Sequence, residues 1–118
     1  MTADARIPVT ILPGREALAV WLAAGGPAAV ITDVAEPLPG AVATERFAPR
    51  AAHRFGCGCC GGRSAAAVAL DRLFQARARN TVPWFARVAV LAASATAEQD
   101  IAAALDQDVL TRARYRPA

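Results

Sequence analysis

The stretch Ile7-Pro8-Val9-Thr10-Ile11-Leu12-Pro13-Gly14, with the residues that follow it to Asp33, decides the fold. Ile7–Leu12 is a short β-rich run closed by a proline–glycine turn, which predicts a strand. Residues 15–24 carry Leu18, Trp21 and Leu22 at helical spacing, and Gly25-Gly26-Pro27 stops that helix. Residues 28–33 form a continuous apolar run ending in Thr32-Asp33, as expected of a strand covered on both faces. Strand, helix and strand within about thirty residues predict a βαβ unit with parallel strands and a right-handed crossover.

Downstream, residues 34–50 hold Pro37, Pro39 and Pro49 and read as an excursion from the sheet. Residues 51–55 are assigned a short strand. Ser64 is placed to N-cap a helix reaching about Arg79, with Ala66, Leu70, Leu73 and Phe74 on one face. Residues 86–92 predict another buried strand. Thr96 with Gln99 has the capping-box spacing and opens a helix through Leu105. Asp106 then caps a last short helix ending near Tyr115. Trp21, Trp84 and Phe85 are assigned to core or edge packing. Asp71, Arg72, Arg77 and Arg79 are assigned to a solvated helix face. These elements predict one domain over residues 1–118: an α/β fold with a mostly parallel open sheet and helices on both faces.

The 118 residues are 55% hydrophobic, enough for a packed core without disulfide or metal staples. The net charge of +3 is spread over thirteen arginines, and there is no lysine. No basic block interleaves with aromatics, which argues against nucleic acid as a partner. Without lysine there is no Walker lysine, no Schiff-base lysine and no lysine general base. Residues 1–6 lack a signal-peptide pattern. The longest apolar stretch, 17–34, is broken by Gly25-Gly26-Pro27 and does not predict a membrane span. The expected location is therefore the cytoplasm, where cysteines are kept reduced.

The pointed feature is Gly56-Cys57-Gly58-Cys59-Cys60-Gly61-Gly62, which contains all three cysteines of the chain. With the strand order in place, the chain resembles the CobW-like metallochaperone GTPases, a branch of the P-loop NTPases. That family's Gly-Cys-x-Cys-Cys hallmark is matched in full by residues 56–60, just ahead of a long helix. Ile7–Leu12 stands where its first strand leads into the Walker A loop. Thr32-Asp33-Val34-Ala35-Glu36 stands at its Asn-Glu-Phe-Gly-Glu-like segment and keeps the final acid, Glu36. The ending of residues 105–116 also resembles the family. The resemblance implies a trimmed P-loop-NTPase-like domain.

The departures from that pattern matter as much. A Walker A loop needs glycine-bounded backbone N–H groups around the phosphates, a lysine, and a Ser or Thr on Mg²⁺. Here Pro13-Gly14-Arg15-Glu16 runs straight into the helix. Arg15 is placed to meet an anion at the helix N-terminus, beside Glu16, which repels one. After Val88-Ala89-Val90, where the acid and threonines for metal and water belong, stand Leu91-Ala92-Ala93-Ser94. The guanine-reading segment falls past Ala118. The expectation is a non-enzyme that uses no nucleotide.

Three thiols within four residues, set among Gly56, Gly58, Gly61 and Gly62, can converge on one ion. Thiolates favour Zn²⁺, Cu(I) and other soft metals, and tetrahedral zinc wants a fourth ligand. Cys57, Cys59 and Cys60 are the candidate metal ligands. His53, Asp33, Glu36, water or a second subunit are the candidates for the fourth. Three other readings stay open, the plainest being that the cysteines are small buried apolar residues under the sheet. Arg46, Arg50, Arg54 and Arg63 surround the run and would favour thiol redox chemistry. Alternatively the chain is an interaction module, pairing with itself or with a full-length CobW-like GTPase through an unpaired sheet edge.

Overall fold

The computed structural model describes residues 4–49 and 64–118. Among them run β1 (Ile7–Leu12), α1 (Arg15–Ala23), β2 (Ala28–Thr32), β3 (Ala43–Arg46), α2 (Ala65–Ala78), β4 (Arg87–Leu91), α3 (Ala95–Gln107), α4 (Val109–Arg114) and β5 (Tyr115–Pro117). The five strands form one sheet in the order β3-β2-β4-β1-β5, and every pairing is parallel. This is the α/β open sheet the sequence predicts, and β1 beside β4 suits a P-loop-NTPase-like arrangement.

The period-2 alternation of the strands divides the core. Ala29 and Ile31 of β2, Val88 and Val90 of β4, and Ile7 and Val9 of β1 face α2 and α3. There they pack against Ala66, Leu70, Leu73, Ala97 and Ile101. Val30, Ala89 and Leu91 face the other way, onto Leu18 of α1 and the partly buried Leu22, Trp21 and Leu38. All five residues of β2 are buried, as the unbroken apolar run requires. Each fully buried Leu or Ile in these layers contributes about 1.5–3 kcal/mol.

Several local assignments change. The βαβ unit does place β1 and β2 parallel, but β4 lies between them. The proline-bearing stretch 34–50 is not only an excursion, because Ala43–Arg46 inside it pairs with β2 as an edge strand. Only nine residues separate Pro39 from Pro49, and two of the strand's four residues are charged. The apolar signal was therefore too thin to find. The short strand assigned to 51–55 lies outside the described residues.

Ser64 caps α2 as predicted, its hydroxyl accepting from the Ala67 N–H at 3.0 Å. The cap of α3 is Ser94, accepting from Ala97 at 3.1 Å, two residues ahead of the expected Thr96. The next helix is capped by Asp108, which accepts from the Thr111 N–H at 3.0 Å, and not by Asp106. The chain then leaves α4 directly into β5, beside β1. Three residues containing a proline are too short for a strand signal. Their pairing, and the Tyr115 hydroxyl donating to the buried Leu70 carbonyl at 2.8 Å, hold them in place.

Candidate functional site

In an open α/β sheet, ligands gather where successive connections leave in opposite directions, beyond the carboxyl ends of the strands. Here β1 connects through α1 toward β2 on one side, while β4 connects through α3 and α4 to β5 on the other. The switch point lies between β1 and β4. Its rim is built by Pro13-Gly14 leading into α1 and by Ala92-Ala93-Ser94 leading into α3. Residues 13–17 line an open depression there.

The connection from β1 to α1 is two residues long. Gly14 is extended and serves as N-cap with no side-chain cap, and Pro13 has no N–H to offer. A phosphate cradle needs several consecutive N–H groups curled around one centre, and two residues do not supply them. Arg15, the residue placed to meet an anion, is paired with Glu36 at 3.1 Å.

The neighbouring strand ends are tied by their own side chains. The Thr32 hydroxyl donates to the Leu91 carbonyl at 2.7 Å and accepts from the Val34 N–H at 3.1 Å. The Asp33 carboxylate accepts from the Ala93 N–H at 2.7 Å and from the Ser94 hydroxyl at 3.4 Å. Arg46 donates to the Val34 and Glu36 carbonyls at 3.0 and 2.9 Å. Asp33 and Glu36, both candidates for a fourth metal ligand, therefore have partners within the chain. The guanidinium of Arg46 is likewise engaged.

Cys57, Cys59, Cys60 and His53 lie outside the described residues, as do Arg50, Arg54 and Arg63. Their flanks are described. On one side, β3 continues into the buried Phe47, whose N–H reaches the Thr32 carbonyl at 3.0 Å. On the other, Ser64 starts α2. Both flanks sit toward the carboxyl end of the sheet, the side of the switch point. Among the described residues, no group of three His, Cys, Asp or Glu side chains is placed to hold a metal ion.

One residue escaped the sequence reading. Asp100 is only 7% exposed, and its carboxylate accepts from the Ala66 N–H at 3.2 Å. It thus neutralises the positive end of α2, at the start of the helix the cysteine segment leads into. The signal was present: Asp100 interrupts the stripe formed by Ala97, Ile101 and Ala104 on α3, where a solvated acid does not belong.

Arg77 and Asp71 are held by contacts within the fold. Burial pulls the Arg77 guanidinium below its ordinary value. It lies 3.7 Å from the centre of the Trp84 ring and donates to the Phe85 carbonyl at 2.9 Å, so it is not part of a solvated face. Asp71 of the same expected face pairs with Arg114. Burial pushes the Tyr115 phenol up, keeping it protonated for its bond to Leu70. Phe85 is in the core and Trp21 is half-buried, but Trp84, assigned to core or edge packing, is 62% exposed with its ring against Arg77. Among the described residues, no helix is long and apolar enough to cross a membrane.

No family model, curated protein or solved structure matches the chain.

Proposed function

We propose that this chain is a metal-binding protein of the CobW-like type that works without nucleotide hydrolysis. It holds Zn²⁺ or a similar thiophilic ion through Cys57, Cys59 and Cys60. The observation that carries the reading is the Gly56-Cys57-Gly58-Cys59-Cys60 run itself: three soft donors in four residues, flanked by glycines. This donor set fits a thiophilic ion. Presenting three ligands from one short segment lowers the ordering cost of a site.

Two features of the described residues support the rest of the reading. The two-residue β1–α1 connection and the absence of lysine leave nothing resembling a phosphate loop. Asp33 is engaged by Ala93 and Ser94, which favours Glu36, His53, water or a second subunit as the fourth ligand. The protein would store or hand over the ion in the cytoplasm, alone or with a full-length CobW-like partner. The test is elemental analysis of protein purified without oxygen. One equivalent of zinc or a related ion per chain is expected, absent from a Cys57→Ser/Cys59→Ser/Cys60→Ser variant. Metal retained by that variant would overturn the assignment.

A further inference from the structure

We propose that the cleft between α1 and the loop at 37–39 binds a free amino acid with an apolar side chain. On α1, Leu18, Ala19 and Leu22 form one stripe with Arg15 at its head. Pro37, Leu38 and Pro39 face that stripe, and the cleft between them has a volume of about 220 Å³. Its wall continues the smaller core, where Leu18 packs on Val30 and Ala89. An apolar cleft gives water few hydrogen-bond partners, so an apolar side chain entering it gains by displacing poorly held water. The volume suits one aliphatic or aromatic side chain.

The cleft is stiff. Two prolines fix their own φ angles, and Gly40 turns the loop with φ +98°. Gly40 lies so close to α1 that an added Cβ would stand 3.4 Å from Leu22 Cδ1. Arg46 holds the same loop by the Val34 and Glu36 carbonyls. A preformed cleft pays little ordering cost when it is filled.

The choice of ligand comes from the rim. Arg15 borders the cleft, and its guanidinium is 3.1 Å from the Glu36 carboxylate, next to Pro37. Both side chains are exposed and can turn toward a ligand. A simple carboxylic acid would pair with Arg15 but be repelled by Glu36, and a simple amine would meet the reverse. A zwitterion whose ammonium faces Glu36 and whose carboxylate faces Arg15 satisfies both charges. The ligand class is therefore a free leucine-like or phenylalanine-like amino acid.

The test is amide NMR of the whole chain titrated with L-leucine and L-phenylalanine. Saturable shifts confined to residues 15–22 and 36–40 are expected, with Kd on the order of 1 mM. 4-Methylpentanoate and isopentylamine, leucine without its ammonium and without its carboxylate, should bind about tenfold more weakly, as should leucine to Arg15→Gln. Ala19 is exposed, so Ala19→Phe should fill the cleft and abolish binding without lowering the melting temperature. The triple cysteine-to-serine variant should bind leucine unchanged, which separates this site from the proposed metal site. Shifts that stay linear to about 50 mM leucine, 4-methylpentanoate binding as well as leucine, or undiminished binding by Ala19→Phe would each overturn the proposal.

Discussion

Asp4 and its neighbours show how arginine stands in for lysine at the scale of single residues. The Arg6 side chain approaches the Asp4 carboxylate at 2.8 Å and, with the Arg6 backbone N–H and the more distant Arg116, holds its pKa down to about 2. A carboxyl depressed on folding contributes stability above its unfolded value, near 4, and loses that contribution as pH falls through the folded value. Because the pair faces solvent, the contribution is screened. The Asp4 carboxyl should titrate with a midpoint near 2 by carbon NMR, and a midpoint near 4 would show the pair is not formed in solution. Neither this pairing nor the role of Arg77 was read from the sequence. A long side chain on a helix surface can fold back along apolar neighbours, and neither spacing nor charge pattern shows when it does.

Helices and strands here are closed by side chains from distant elements, and Arg87 is the clearest case. From the first residue of β4 it donates to the Trp21, Leu22 and Gly26 carbonyls at 2.9–3.2 Å. These include carbonyls left open at the C-terminal end of α1. Its guanidinium also lies 3.8 Å from the centre of the Trp21 ring. Gly25 allows the approach, because a Cβ there would fall 2.5 Å from the guanidinium carbon. Arg87→Ala should cost about 2 kcal/mol in urea denaturation. Gly25→Ala should cost about 1–2 kcal/mol by displacing the guanidinium from those carbonyls. In the Arg87→Ala background the glycine change should cost nothing, and independent losses in that cycle would contradict this account. Strong periodicity made β1, β2, β4, α1 and α2 readable to within a residue or two. The short edge strands β3 and β5 were missed because their pairing is tertiary. The caps of α3 and α4 slipped by two residues because Ser94, Thr96, Asp106 and Asp108 are all competent cap residues. Which of them wins depends on where the preceding element ends, β4 for α3 and α3 for α4.

At the scale of the whole molecule, the described residues already form a two-layered core, around Ile31 and Leu70 on one face and Val30 and Leu18 on the other. Metal removal should therefore leave cooperative thermal unfolding intact, with at most a lower melting temperature, unlike a zinc finger. A random-coil circular dichroism spectrum after chelation would contradict this. The fold class was legible because it follows from the βαβ run. The candidate site is read only as chemistry, from residue types and spacing, because no periodicity tells what a glycine-rich cysteine segment faces. The most direct test of the central claim is Co²⁺ titration under reducing conditions. The account predicts a sulfur-to-metal charge-transfer band that saturates at one equivalent and is lost in the Cys57→Ser/Cys59→Ser/Cys60→Ser variant. An unchanged spectrum in that variant, or no such band in the native chain, would contradict it.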